Sequence, residues 1–176
     1  KAMNAALTIL VGMGILLVSL SMSNAAEKPR PGGTFVFGMY ADPDYLNPVV
    51  SSGITDRIVG GNIFSRLFYI DLEGNYVGDL AEKWTISKDN RIIRFDLRKG
   101  TKFHDGRPVT AEDVKFSLEM LAKYHPRGNQ LRMISEIRVL DENSLEIKLP
   151  SPSPTLFAFL DEAGFIIPKH IYITNE

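Results

Sequence analysis

A chain of 176 residues with 44% hydrophobic and 23% charged side chains has the composition of an ordinary globular protein, enough for one domain or for part of a larger protein. Its 20 basic and 21 acidic residues give a formal charge of -1, so nothing in the charge balance favours a nucleic-acid partner, and none is expected. The absence of cysteine excludes disulfides, thiolate metal sites and a cysteine nucleophile, and no lipid-anchor cysteine is present.

In chain order, Lys1 precedes an apolar run from Ala5 to Leu20, and small residues with Asn24 follow from Ser21 to Ala26. This is the layout of a secretory signal peptide over residues 1–26, with cleavage expected after Ala25 or Ala26. The competing reading is a membrane anchor, but Thr8, Gly12, Gly14 and Ser19 interrupt the run, which is shorter than the roughly 20 residues of a spanning helix. A first residue that is lysine and not methionine leads to the expectation that the natural N-terminus lies upstream.

From Thr34 to Tyr40 the chain alternates, with Phe35, Phe37 and Met39 on one face and Val36 and Gly38 on the other, a first strand apolar enough to be buried on both sides. Pro43, Pro48, Ser51, Ser52 and Gly53 make Ala41 to Thr55 a loop. A helix is expected over Asp56–Tyr69, with Ile63 and Leu67 on one side, Thr55 as its cap and Asp56 at the positive end of its dipole. Gly60-Gly61 weakens that helix and permits close packing. Glu73-Gly74-Asn75 is a hairpin turn.

The stretch from Asp79 to Val114 is the most strongly patterned. Trp84 and Ile86 share one face of a strand, Lys88-Asp89-Asn90 turns the chain, and Ile93, Phe95 and Leu97 return opposite Arg94, Asp96 and Arg98. One apolar and one charged side imply an antiparallel sheet with one wet face. Asp105-Gly106 is a turn dipeptide. Thr110 stands three residues before Asp113, the spacing of a capping box, and Val114, Leu118 and Leu121 form the apolar stripe of the helix that follows. His125-Pro126 ends that helix. Ile137 and Val139, the turn Asp141-Glu142-Asn143, and Leu145, Ile147 and Leu149 make a second hairpin. Pro150, Pro152 and Pro154 form a rigid connector, and a helix begins near Leu156 to Leu160. Periodicity thus gives an α+β protein with two antiparallel hairpins.

Catalytic and metal chemistry find little support. His104-Asp105 pairs an imidazole with a carboxylate, but neighbours at a strand end point apart and Asp105-Gly106 has a turn to make. With three histidines in all, there is no metal-ligand spacing and no nucleophile motif. Glu112 and Asp113 suit the first turn of a helix better than an acid pair. Trp84 is expected in the core, and Arg91, Arg94 and Arg98 form a solvated stripe, with a surface for a transporter as the alternative. No catalytic residue, metal or cofactor is expected.

Four blocks in order carry a resemblance: Asp79-Leu80-Ala81-Glu82-Lys83-Trp84, Phe95-Asp96-Leu97-Arg98-Lys99-Gly100, Phe103-His104-Asp105-Gly106 with Pro108, and Thr110-Ala111-Glu112-Asp113-Val114. Leu46-Asn47-Pro48 and Phe165-Ile166-Ile167-Pro168-Lys169-His170 extend it, although the usual form carries aspartate where Asn47 stands. In these residues the chain resembles the extracellular solute-binding proteins of the oligopeptide, dipeptide and nickel type (family 5), over Gly32 to Tyr172. The resemblance implies an α/β (α+β) chain that is the N-terminal part of a two-lobed, periplasmic-binding-protein-like fold. Residues 27–50 would carry the first strand and start the main lobe, residues 51–165 form an inserted small domain, and residues 166–176 return to the main lobe, where the chain is expected to be truncated. Exposed apolar surface is then expected around Phe35 and Phe37.

The function implied is a secreted, periplasmic, monomeric receptor that captures peptides or similar small solutes and delivers them to the membrane permease of an ABC importer. Ser51, Ser52, Gly53 and Ile54 would lie at the cleft edge and offer main-chain hydrogen bonds to the ligand. The loop lies just before a helix start, where exposed backbone donors and hydroxyls meet ligands. An ordinary surface loop is the alternative for these generic turn formers. The alternative for the whole is a secreted hydrolase with catalytic residues beyond Glu176, or a chaperone of exported chains.

Overall fold

The computed structural model describes residues 32–173, so the signal-peptide reading of residues 1–26 lies outside the described residues. Helix α1 (Ile54–Ile63) leads into a two-stranded ribbon, β1 (Phe68–Ile70) and β2 (Tyr76–Gly78), and then into β3 (Ala81–Ile86) and β4 (Ile92–Leu97). Helix α2 (Ala111–Tyr124), strands β5 (Glu136–Asp141) and β6 (Ser144–Lys148), helix α3 (Pro154–Ala163) and the single turn α4 (Lys169–Tyr172) follow.

The turns form where turn residues are clustered. In the ribbon, the Asp71 carboxylate accepts the N–H groups of Glu73 at 3.1 Å and Asn75 at 2.7 Å, while Gly74 supplies φ 84°. Between β3 and β4, Asn90 takes φ 55°, the left-handed conformation that asparagine tolerates better than most residues. Trp84 then faces Phe95, and Ile86 faces Ile93. The two expected hairpins are one sheet. β4 pairs antiparallel with β6, placing Phe95 opposite Leu145 and Ile93 opposite Ile147, in the order β3-β4-β6-β5. All four of those side chains are buried, whereas Arg94 and Asp96 pair on the outer face at 3.3 Å. Trp84 is half-buried against Phe68 and Phe95, but Ile86 at the strand end is exposed.

The capping box of α2 is present. Thr110 Oγ1 accepts the Asp113 N–H, and Asp113 Oδ2 accepts the Thr110 N–H at 3.0 Å. The other oxygen, Oδ1, accepts the N–H of Lys169 at 3.0 Å. Val114, Leu118 and Leu121 are buried, and so is Ser117, whose hydroxyl accepts the Ile167 N–H at 2.9 Å and donates to the Asp113 carbonyl at 2.7 Å. The helix is therefore bound on one side by the sheet and on another by the segment that contains Ile166 and Ile167.

Two expectations are corrected. Thr34–Tyr40 is not a strand, because among the described residues no neighbour supplies a hydrogen-bonding ladder; Phe35 is 87% and Phe37 is 61% exposed, as the lack of a partner implies. Helix α1 begins and ends earlier than Asp56–Tyr69. Its cap is Gly53 and not Thr55, which sits inside the first turn, and the backbone turns extended at Phe64, so that Leu67 is buried from beyond the helix. Gly60 faces the Phe165 ring, but a Cβ would still fit there at 3.9 Å and would meet nothing at Gly61, so the pair is not needed for the close packing expected of it.

Phe95→Ala empties the centre of the sheet face, and urea denaturation is expected to show a loss of about 3–5 kcal/mol. Phe35→Ser, at a side chain with little to lose, is expected to change stability by less than about 0.5 kcal/mol in the same measurement.

Candidate functional site

The loop before α1 is organised by one carboxylate. Asp56, only 6% exposed, accepts the Ser51 hydroxyl and, at 2.8 Å, the backbone N–H of Asp44. Ser51 Oγ in turn accepts the Gly53 N–H at 3.1 Å. Gly53 has little room to be anything else, since a Cβ there would sit 3.0 Å from Asp56 Oδ2. The Ser51 hydroxyl draws the Asp56 carboxyl below its ordinary value, while burial works in the opposite sense and the Tyr45 and Asp44 backbone assists the hydroxyl.

The four residues singled out in the sequence therefore divide. Ser51 is buried with its hydroxyl committed to Asp56, so it serves the loop's shape. Ser52, Gly53 and Ile54 are exposed, Ile54 by 56%. Among the described residues, the N–H groups of Ser52 and Ile54 find no acceptor. What the arrangement can do chemically is donate from the backbone at a helix start, where a polar or anionic group is favoured.

Beside Ile54 runs a cleft lined by Arg57, Arg66, Asp161, Glu162 and Phe165. Glu162 pairs with Arg57 through one oxygen and with Arg127 through the other, the latter at 2.8 Å. Arg66 donates to the Asp161 carbonyl and lies over the Phe165 ring, 5.5 Å from its centroid. This group draws on α1, the end of α3 and the residues after α2. Sequence reasoning missed it because no local pattern links positions 57, 127 and 162. Arg57 lies one turn beyond the loop, and that was the one available signal.

His104 and Asp105 both lie in the turn after Phe103, and no hydrogen bond or ion pair joins them among the described residues. His104 is exposed, and Asp105 reaches His170 instead, with Nε2 and Oδ2 2.6 Å apart. The Arg107 N–H and then His170 lower the Asp105 carboxyl below its ordinary value. A histidine–carboxylate pair exists, then, but between residues 65 apart in sequence, where it joins the Asp105-Gly106 turn to the segment after Pro168. Among the described residues no group of three or more histidine or carboxylate side chains is placed to hold a metal.

The sequence model of the bacterial extracellular solute-binding proteins, family 5, matches residues 75–175. The chain belongs to that family. A "Probable ABC transporter-binding protein" of Deinococcus radiodurans is 31% identical over 160 residues, covering 86% of this chain and 26% of its own. The "Probable D,D-dipeptide-binding periplasmic protein DdpA" of Escherichia coli is 31% identical over 161 residues, covering 87% of this chain and 31% of its own. The structure of the binding protein AgaA in complex with agropinic acid, from A. tumefaciens R10, superposes with a TM-score of 0.68 at 33% identity over 76% of this chain and 28% of that one. The chain spans about a quarter to a third of the length of the curated relatives it matches. The mixed helix and sheet architecture is that of family 5 binding proteins.

Asp56 sets a pH dependence for this family 5 loop. Its folded-state pKa lies below the unfolded value of about 3.9, so its contribution is complete above that value and is lost as pH falls through the folded pKa. Amide hydrogen exchange at Gly53 is expected to accelerate relative to the β4 amides on acidification below about pH 4. Asp56→Asn is expected to show the faster exchange already at neutral pH and to lose the acid step.

Proposed function

We propose that this chain is part of a secreted, periplasmic receptor that captures peptides or similar small solutes and passes them to the membrane permease of an ABC importer. Residues 27–50 start the main lobe, residues 51–165 form the smaller inserted domain, and residues 166–176 return to the main lobe. The receptor acts as a monomer and performs no chemistry on its ligand. Names among the relatives support the solute class, D,D-dipeptides for one protein and oligopeptides for another.

One observation in the structure carries the reading. The loop Ser51–Ile54 is fastened from within by Asp56, yet among the described residues the Ser52 and Ile54 N–H groups have no acceptor, at the edge of a cleft of mixed charge. Main-chain donors recognise a peptide backbone whatever its side chains. Arginines and carboxylates alongside suit ligands that carry both charges. A pre-shaped loop also loses less conformational freedom when it binds.

Native mass spectrometry of the full-length secreted protein is expected to catch a retained small solute, and calorimetric titration of that solute to give saturable, one-to-one, reversible binding without turnover. Release of a product would replace this reading with a hydrolase, and weak unselective binding of peptides would replace it with a chaperone. His104→Ala is expected to leave the affinity within about twofold of the parent, as for a surface change away from the site.

A further inference from the structure

His125 caps the C-terminal end of α2, is 3% exposed, and has no part in the site as described so far. Its ring stands edge-on to Phe159 of α3, with centroids 5.4 Å apart. Nδ1 accepts the backbone N–H of Arg127 at 3.1 Å, so in the neutral ring the proton belongs on Nε2. Nε2 is buried and has no hydrogen-bond partner among the described residues. A buried donor without an acceptor in a native protein calls for an explanation. The Ser51 backbone carbonyl lies beside the ring, short of hydrogen-bond geometry.

We propose that His125 is a positioning residue for the ligand loop: its Nε2–H serves the Ser51 carbonyl and fixes how the loop presents the Ser52 and Ile54 N–H groups. This rests on the reading of Ser51–Ile54 as the ligand loop. The loop is then held on two sides, by Asp56 at the Ser51 hydroxyl and by His125 at the Ser51 carbonyl, and a small closure of the loop onto the ring completes the second bond. Through Nδ1 the same ring holds the backbone of Arg127, whose guanidinium meets Glu162. One imidazole thus joins the loop to the charged side of the cleft.

The arrangement requires the neutral ring, because a proton on Nδ1 would set donor against donor at the Arg127 N–H. Burial first, and then the Arg127 guanidinium, lower the tendency of His125 to take that proton, and the Ser51 carbonyl opposes them. The charged groups around this junction are Arg127 on the histidine's own turn, Asp56 and Arg57 of α1, and Glu162 of α3. The folded-state pKa lies below the unfolded value, so the contribution is complete above about pH 6.5 and is lost as pH falls through the lowered value.

The test uses nitrogen-15 NMR and amide hydrogen exchange on the full secreted protein. The His125 ring is expected as the Nε2–H tautomer. His125→Phe, which keeps an aromatic ring against Phe159 but has no donor, is expected to speed exchange at Gly53 about fivefold or more relative to the Phe95 amide and to abolish the pH step below neutrality. His125→Gln, whose amide donates from nearly the same place, is expected to restore exchange to within about twofold. An Nδ1–H tautomer, or a Phe variant with parental exchange at Gly53, overturns the inference. Addition of mixed trialanine and trilysine separates the two readings. Shifts at the Ser52 and Ile54 amides support the ligand loop, whereas unmoved amides in a loop that His125→Phe has loosened overturn the loop's ligand role and, with it, this proposal.

Discussion

The pairing of β4 with β6 is the contact on which the rest of the molecule leans. It sets Phe95 against Leu145 and Ile93 against Ile147, so that two hairpins distant in sequence present one continuous apolar face. Neither hairpin alone would be stable in water, since two strands cannot bury enough surface to offset the ordering of their backbones. Once joined, they give α2 a surface to bury Val114, Leu118 and Leu121 against, and α2 in turn gives Ile167 its place through Ser117. The charged face of the same strands stays wet, with Arg94 and Asp96 paired in solvent, where such pairs contribute little.

The loop Ser51–Ile54 is held to this body in a different way. Its conformation is fixed by hydrogen bonds that centre on one carboxylate, Asp56 in the first turn of α1, and on the Ser51 hydroxyl. Positioning by hydrogen bonds leaves the outward backbone groups available, which hydrophobic burial of the loop would not. In the mixed-charge cleft next to it, Glu162 pairs with two guanidinium groups at once, joining α3 to α1 and to the residues after α2, while its partners remain partly exposed.

Much of the body was legible from the sequence because its elements are locally determined. Alternation around Lys88-Asp89-Asn90 and Asp141-Glu142-Asn143 gave both hairpins, and the three-residue spacing from Thr110 to Asp113 gave the start of α2. What was not legible depends on residues far apart. The union of the hairpins, the reach of Asp105 to His170, and the meeting of Arg57, Arg127 and Glu162 leave no periodic trace. The start of α1 was misplaced for a subtler reason. Thr55 is a good cap by type, but Asp56 already takes the Ser51 hydroxyl, and the helix starts two residues earlier behind Gly53. The strand at Thr34–Tyr40 was suggested by alternation alone, and alternation cannot supply a neighbour.

Asp113 shows how local and distant demands can meet in one side chain. One oxygen closes the capping box with Thr110, and the other receives the backbone of Lys169, 56 residues further on. The local rules of helix starts would tolerate several residues here. Asparagine, though, has a single acceptor oxygen and serines a single hydroxyl, so neither can answer both calls in this geometry. The helix's first turn and the segment after Pro168 therefore hang on the same carboxylate, and a change at Asp113 is felt in both.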